Sequence, residues 1–251
     1  MTEKMDLFFT PGDHIDLQSG RLNIEGDEFH HIVRVLRRKS GETILVTDGQ
    51  GFRCEAVITG MGKKSLEAEI RSHYSQTRPA TEVAVAFSLL KAHQRFDFFL
   101  EKAVELGVSA IIPMITARTV SQPSNEKIEG KLTRWGNIVL SAAKQSKRVF
   151  FPRLEAPLHF RDILGLQGYD NRLLPYEGAT APPDADYSGK KTIFLIGGEG
   201  GFTTNEVECA RTAGFRDVSL GKTILRAETA AIFSVAMVRG KLLEGEREKW
   251  L

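Results

Sequence analysis

The chain has 251 residues, of which 41% are hydrophobic and 26% are charged, and its formal net charge is +2. This is the composition of an ordinary globular protein with one or two domains. No apolar segment reaches the roughly 20 residues that span a bilayer, and Glu3, Lys4 and Asp6 precede any apolar run, so we expect no membrane segment and no signal peptide. Cys54 and Cys209 have neither metal-ligand spacing nor a disulfide framework. We therefore expect a cytoplasmic protein without a metal site.

The N-terminal part of the chain, residues 1–72, is composed of short strand and turn patterns. Thr43–Thr47 and Arg53–Ile58 flank Asp48–Gly51, an arrangement typical of a β-hairpin. Ser65–Ile70 alternates between polar and apolar residues as a further strand. Strands at this spacing predict a small β-barrel domain.

A basic segment lies between these strands. His30–Lys39 predicts one short helix with Ile32, Val33 and Leu36 on its apolar side. Its C-terminal end carries four cations within six residues, namely Arg34, Arg37, Arg38 and Lys39. Two interpretations stay open. The cations stabilise the negative end of the helix, or they contact the phosphates of an RNA.

A polar stretch, Ser72–Pro79, has the composition of a linker, and the predicted domain boundary lies here, with a second domain over residues 73–251. Strand patterns then alternate with helical patterns, as in a parallel α/β sheet. Val83–Leu90 and Ala110–Ile115 predict strands. The helix between them ends before Gly107. Its apolar face consists of Phe96, Phe99, Leu100 and Ala103.

A further helix is predicted from apolar residues at positions i, i+3, i+4, i+7 and i+8. They are Trp135, Ile138, Val139, Ala142 and Ala143. Outside this face lie three cations, Lys144, Lys147 and Arg148. A solvated basic face is one interpretation of the cations, and contact with RNA is the other.

Three elements then lead to a glycine-rich loop. Phe160–Gly168 predicts a helix and Arg172–Glu177 a strand. Thr192–Ile196 is a short apolar run, typical of a strand that is buried on both faces. Gly197–Gly201 allows the backbone to turn sharply and to approach a ligand closely.

The next helix carries its own start signal. Thr203 and Glu206 have the spacing of a capping box, so a helix is expected from there to about Gly214. Asp217–Leu220 predicts the next strand. The closing helix, Glu228–Leu243, has an apolar stripe made by Ala231, Phe233, Val235 and Val238.

Gly221–Ala227 forms a second loop before the closing helix. Loops at the carboxyl ends of neighbouring strands are where open α/β sheets bind small molecules. A dinucleotide fingerprint does not fit, because G-x-G-x-x-G starting at Gly198 would require glycine in place of Thr203. A phosphate-binding loop of the type G-x-x-x-x-G-K-[ST] is also missing from the sequence.

Two motifs, Ile196–Phe202 and Leu220–Ala230, resemble the knotted C-terminal region of the SPOUT methyltransferases. The closest match is to the RsmE-like enzymes, which methylate N3 of a uridine in 16S ribosomal RNA. Lys102–Val108 and Arg134–Val149 are similar to further motifs of that family, and the N-terminal segment resembles its PUA-like barrel. Three positions depart from the family pattern: Gly198 replaces the usual proline, Thr223 a common basic residue, and Lys144 a frequent acidic residue.

The resemblance implies a SPOUT-type parallel α/β sheet with a C-terminal trefoil knot, preceded by the PUA-like barrel. It implies S-adenosylmethionine as cofactor and 16S ribosomal RNA in the small ribosomal subunit as partner. The implied cofactor residues are Leu174, Pro175, Gly198, Gly200, Leu220, Gly221, Ile224, Leu225, Arg226, Thr229 and Ala230. For Leu174 and Pro175, ordinary core packing is an equal alternative. Enzymes of this superfamily are usually homodimers, for which the closing helix Glu228–Leu243 is a plausible interface, although packing within one subunit explains its stripe equally well.

N3 of uridine carries a proton, so the resemblance also implies a group that removes it or stabilises the resulting anion. Arg226, Glu228 and Glu199 are the candidates. A structural role is open for all three, since Arg226 and Glu228 could pair with each other or cap the helix. Two alternative functions remain: another SPOUT methyltransferase acting on tRNA or a ribose 2′-hydroxyl, or an RNA-binding assembly factor without catalysis.

Overall fold

The structure is a computed structural model that describes residues 5–120 and 125–247. The chain forms two compact units. The N-terminal unit contains Met1–Arg78 and Ala143–Phe151, and the C-terminal unit contains Pro79–Ala142 and Pro152–Leu251. Residues 143–151 thus belong to the first unit although they follow it by more than sixty positions in the chain.

The N-terminal unit has a six-stranded sheet in the order β1-β4-β5-β6-β3-β2. Its strands are β1 (Leu7–Phe9), β2 (Ile15–Asp16), β3 (Arg21–Glu25), β4 (Thr43–Thr47), β5 (Phe52–Met61) and β6 (Ser65–Ser75). β1 pairs with β4 in parallel, and the other pairs are antiparallel. The predicted hairpin is confirmed, with Thr47 opposite Arg53. Alternate residues of β5 are buried, so one face of the sheet packs on a core.

The β4–β5 turn explains why residues 143–151 belong to this unit. The amide of Gly51 donates to the carbonyl of Val149, and the amide of Phe151 donates to the carbonyl of Gly49, both at 2.8 Å. A Cβ on Gly49 would lie 2.6 Å from the Phe151 ring. The ring also lies against Phe9, with centroids 5.4 Å apart. Backbone pairing and aromatic contact therefore hold this segment to the N-terminal sheet.

The basic helix differs from its prediction over His30–Lys39. An α-helix, α1 (Gly26–His30), continues into a π-helical turn over His31–Val35. The helix then ends, because Arg37 adopts a positive φ of 54° that a right-handed helix cannot contain. Arg37, Arg38 and Lys39 therefore lie beyond the helix instead of in its last turn.

The C-terminal unit is a parallel α/β sheet, as the sequence predicts. Its strands are β7 (Glu82–Ser88), β8 (Ala110–Ile115), β9 (Arg153–Leu154), β10 (Leu158–His159), β11 (Asn171–Pro175), β12 (Lys191–Ile196) and β13 (Arg216–Val218). The order is β10-β8-β7-β12-β11-β13, and β9 also pairs with β8. Its helices are α2 (His93–Glu105), α3 (Asn125–Gln145, of which the last three residues belong to the N-terminal unit), α4 (Phe160–Leu164), α5 (Thr204–Thr212) and α6 (Ala227–Arg247).

The closing helix α6 packs against α2 and contacts β7 and β12. Ala231, Val235 and Val238 are buried on this face. The predicted stripe also included Phe233, but this side chain is 44% exposed. Phe233 lies two residues after Ala231, about 200° around the helix, and so points away from the buried face.

Four elements end earlier than predicted. The strand predicted over Arg172–Glu177 ends at Pro175. The helix predicted over Phe160–Gly168 ends at Leu164, and the strand predicted to reach Leu220 ends at Val218. The strand predicted to reach Leu90 ends at Ser88. Within the described part of the chain, no helix combines the length and the apolar character needed to cross a membrane.

Candidate active site

The two predicted ligand loops lie at the carboxyl edge of the C-terminal sheet. The first, residues 197–203, follows β12, and the second, residues 219–226, follows β13. Because all strands of this sheet are parallel, their carboxyl ends share one edge. The second loop leads into α6, which contacts β12 and β7, so the chain returns from β13 toward the strand of the first loop.

The first loop requires small residues. The amide of Gly201 donates to the carbonyl of Gly198 at 3.0 Å, which closes a tight turn, and Gly201 has a φ of 63°. A Cβ on Gly198 would lie 3.1 Å from Oγ of Ser88, and one on Gly200 would lie 3.3 Å from the side chain of Arg118. A Cβ at position 198 would therefore crowd the Ser88 hydroxyl, and one at position 200 would crowd the Arg118 side chain.

The predicted capping box at the start of α5 is confirmed. The Glu206 amide donates to Thr203 Oγ1 at 3.2 Å, and Glu206 Oε2 accepts from the Thr203 amide at 2.9 Å. The other oxygen, Oε1, accepts from the amide of Ala117 at 2.8 Å. Buried Glu206 thus joins the first loop and α5 to the segment after β8.

That segment, residues 116–120, is a third loop at the same edge, and sequence reasoning missed it. Arg118 Nη1 donates to the carbonyl of Gly200 at 2.5 Å. The hydroxyls of Ser88, Thr116 and Thr119 are buried and lie 3.0–3.3 Å from one another. The sequence does contain a partial indication of this loop, because the mostly polar segment Thr116–Thr119 directly follows a predicted strand.

The second loop is open to solvent at its tip. Gly221 has a φ of 127°, and Ile224 is 82% exposed. The amide of Ala230 donates to the carbonyl of Arg226 at 2.8 Å and opens α6. Of the other predicted cofactor residues, Leu220, Leu225, Pro175 and Ala230 are half-buried, Thr229 is exposed, and Leu174 is fully buried in the hydrophobic core.

Glu228 is the one candidate catalytic side chain that is buried, at 8% exposure, whereas Arg226 and Glu199 are exposed. Arg95 Nε in the first turn of α2 lies 3.7 Å from Glu228 Oε1. Among the described residues, Arg95 and not Arg226 is the cation within 4 Å of this carboxylate. The second oxygen, Oε2, is buried without a hydrogen-bond partner in the same residues. Arg95 was missed by sequence reasoning, since its partner is remote in the chain.

Two of the predicted RNA-binding cations are paired within the N-terminal unit. Arg38 lies 3.1 Å from Glu42 and 3.8 Å from Asp6. Lys144 Nζ donates to Glu28 Oε2 at 2.6 Å. Arg148 is half-buried. The exposed members of the set are Arg34, Arg37, Lys39 and Lys147.

Metal chemistry has no evident site in the described ranges. No group of three or more His, Cys, Asp or Glu side chains there could hold a metal ion. Cys54 and Cys209 are both free.

Known proteins match both units. An RNA methyltransferase domain family matches residues 77–239, and an RNA methyltransferase PUA domain family matches residues 24–71. Ribosomal RNA small subunit methyltransferase E of Mesomycoplasma hyopneumoniae (strain 232) is 33% identical over 202 residues, which cover 80% of this chain and 86% of that protein.

Two solved structures are similar over almost the whole chain. Ribosomal RNA small subunit methyltransferase E of Neisseria gonorrhoeae, bound to S-adenosylmethionine, has a TM-score of 0.83 at 32% identity and covers 94% of this chain and 97% of its own. A putative methyltransferase of Legionella pneumophila with bound S-adenosylmethionine has a TM-score of 0.86 at 27% identity, covering 95% and 98%. The chain therefore belongs to the ribosomal RNA small subunit methyltransferase E family, with a PUA domain before its RNA methyltransferase domain.

Proposed function

We propose that the protein transfers a methyl group from S-adenosylmethionine to N3 of a uridine in the 16S ribosomal RNA of the small subunit. The observation that carries the proposal is the pair of loops, residues 197–203 and 219–226, at one edge of a parallel sheet. They occur in a chain that is 32% identical to the Neisseria gonorrhoeae enzyme bound to S-adenosylmethionine.

The loops suit a bulky cofactor. Gly198 and Gly200 have no Cβ, so their backbone groups can be approached closely. Backbone groups of Leu220, Gly221 and Ile224–Arg226 would serve the polar edges of the cofactor. The small side chains of Thr229 and Ala230 would allow its close approach. The backbone of Leu174 and the half-buried Pro175 would form a wall, since β11 ends at this edge.

The proposal includes the trefoil knot that the family resemblance implies. Its support is the path of the chain. β13 lies at the end of the sheet, yet the following helix α6 contacts β12 and β7 near its centre. The chain after β13 therefore passes back beyond β11 to reach β12 and β7. A threaded crossing of this kind would hold both loops in place without large side chains, although such threading is rare in proteins.

S-adenosylmethionine, when bound, supplies an electrophilic methyl group. The residues of the chain then have two tasks: to align the uracil ring in line with that methyl group, and to deal with the N3 proton. Glu228 Oε2 is a buried acceptor without a partner in the described residues, which suits it to receive the N3 hydrogen. The exposed guanidinium of Arg226 would stabilise the negative charge left on the flanking carbonyl oxygens. Glu199 is a second, solvent-exposed acceptor in the first loop.

N3 lies on the pairing edge of uracil, so the base must leave any helix before it reacts. The PUA domain would hold the RNA while the base is extruded, and the exposed cations Arg34, Arg37, Lys39 and Lys147 of the N-terminal unit would contact its backbone.

The test is methyl transfer by purified protein to small ribosomal subunits from a strain that lacks the gene. We expect 3-methyluridine in digested 16S ribosomal RNA by mass spectrometry, and we expect Arg226→Ala to abolish its formation while the donor Kd in calorimetry changes less than about threefold. A methylated ribose, a methylated tRNA, or binding without transfer would each overturn the proposal. An equal loss of donor binding in Arg226→Ala would instead assign Arg226 to the cofactor.

We further propose that the protein acts as a homodimer in the cytoplasm, where small subunits are made. Support for the dimer comes from exposed apolar side chains on α6, Phe233 and Leu243, and on the neighbouring α2, Phe98. Sedimentation of the protein and of Phe233→Glu tests this: we expect a dimer that the charge dissociates. A monomeric native protein would refute it.

A further inference from the structure

Three cations in the C-terminal unit have no role in the chemistry above. Lys91 follows β7, Arg118 follows β8, and Lys222 lies in the second loop after β13. All three are exposed. In the described part of the chain none of them has a carboxylate within 4 Å. They therefore form a set of unneutralised charges, here named the edge cations, at the carboxyl edge of the sheet.

Arg118 is the most firmly held of the three. One of its N–H groups donates to the carbonyl of Gly200 at 2.5 Å. Its loop is fastened on both sides, because Ala117 donates to Glu206 and the Thr119 hydroxyl lies 3.1 Å from that of Ser88. A guanidinium has five N–H donors, so this contact leaves most of them for a ligand. Since the side chain is already ordered, binding through it costs little further entropy.

The chemistry of the edge cations fits a phosphodiester backbone. Guanidinium groups bind phosphate oxygens through a planar fork, and lysines bind them as point charges. Exposed Arg226 and Arg161 add two further positive charges at this edge, while Glu177, Glu199 and Asp162 supply three exposed acids. The balance at the edge remains positive, whereas Arg38 and Lys144, in the N-terminal unit, are neutralised by acidic partners.

We propose that Lys91, Arg118 and Lys222 bind the phosphates of the nucleotides that flank the target base. This rests on the proposed function, since a base that enters the site between the loops carries its own backbone over this edge. RNA contact then extends to the C-terminal unit, beyond the cations that the sequence singles out. The edge cations orient the RNA and take no part in bond formation.

The experiment measures binding of immobilised small ribosomal subunits, without methyl donor, over a range of salt concentrations. The variants are Lys91→Gln, Arg118→Gln and Lys222→Gln, singly and together. The matched control is Lys190→Gln, which removes the same charge from an exposed lysine directly before β12, at the opposite edge of the sheet. Glutamine at position 118 keeps an N–H donor for the Gly200 carbonyl.

We expect each edge variant to reduce the slope of log K against log salt by about 0.7–0.9, the value for one lost phosphate contact, and the triple variant by about 2. Lys190→Gln should leave the slope unchanged, and donor affinity should stay within about threefold in all variants. An unchanged slope in the triple variant, or an equal change in Lys190→Gln, would overturn the proposal. The proposal would also be overturned if Arg118→Gln reduced the affinity for the methyl donor and left the salt slope unchanged. Arg118 would then support the first loop and not bind RNA. Because binding is measured without donor, failure of methyl transfer would overturn the proposed function and leave this result standing.

Discussion

Arg95 Nε lies 3.7 Å from Glu228 Oε1, so an ion pair joins the first turn of α2 to the first turn of α6. The pair accounts for one carboxylate oxygen only. The other is buried and has no hydrogen-bond partner in the residues that the structure describes. An unmet buried acceptor costs about 1–3 kcal/mol. Such a cost is understandable if a ligand N–H completes the site.

Replacement of Glu228 with Gln should lower the rate of methyl transfer by about 100-fold if Glu228 is the proposed acceptor of the N3 proton, because glutamine cannot take up that proton. Arg95→Gln should lower the same rate by a similar factor by freeing the carboxylate, and Arg95→Lys should restore part of it. We expect the double variant to be no slower than Glu228→Gln alone. Single-turnover rates with saturating donor measure this, and additive losses would mean that the two residues act separately.

The contact between Gly198 and Ser88 predicts a pair of coupled substitutions. Gly198→Ala should destabilise the protein by about 0.5–1.5 kcal/mol, because the added methyl group would lie 3.1 Å from the Ser88 hydroxyl. The same change in a Ser88→Ala background should cost less. Gly240→Ala is the control, since a Cβ there meets no atom within 4 Å and should stabilise α6. Urea denaturation supplies the free energies, and equal costs in both backgrounds would refute the steric explanation.

Glu206 predicts a large effect from one buried side chain. Glu206→Ala should lower the free energy of unfolding by about 2–3 kcal/mol, because it removes the capping box and leaves the Ala117 amide without its partner. Glu206→Gln should cost less, since an acceptor oxygen remains. The control is Glu208→Ala on the exposed face of the same helix, expected within about 0.5 kcal/mol of the native protein. Similar losses of unfolding free energy at both positions would show that the contacts of Glu206 with Thr203 and Ala117 do not contribute specifically to stability.

Lys144 and Lys147 are three positions apart but should behave differently. The side chains of Lys144 and Glu28 are 19% and 12% exposed, so Lys144→Met should destabilise the protein by about 1–3 kcal/mol while RNA affinity stays unchanged. Lys147→Gln should leave stability within about 0.5 kcal/mol and weaken RNA binding. Thermal unfolding and subunit binding together test this, and a loss of RNA affinity in Lys144→Met at full stability would reverse the assignment.

The sequence predicts well those elements that are determined by residues close together in the chain. Ala110–Ile115 and Thr43–Thr47 agree with β8 and β4, because each is an apolar run with clear polar or glycine borders. Thr203 and Glu206 are three residues apart, so their capping box is visible in the sequence. The helix predicted over His30–Lys39 was wrong in its bounds, because no sequence pattern indicates the positive φ of Arg37.

The parts of the site that the sequence misses depend on distant partners. Ala117 and Glu206 are 89 residues apart, and Arg118 and Gly200 are 82 apart. Such pairs carry no periodicity or motif, and they arise only when parallel strands bring their carboxyl ends to one edge. Arg95 and Glu228 come together for the same reason. The predicted loops were therefore accessible from sequence, whereas the groups that support them were not.

The membership of residues 143–151 in the N-terminal unit has a consequence for biosynthesis. When the first 78 residues have left the ribosome, the turn at Gly49 still lacks the segment that hydrogen-bonds to it, and Phe9 lacks the ring of Phe151. The N-terminal unit can finish folding only after the whole of α3 and the following residues up to Phe151 have been translated. A fragment that ends at the linker would expose the surface of Gly49 and Phe9 that residues 149–151 cover. Folding of the first unit is therefore completed only when part of the second unit has been synthesised.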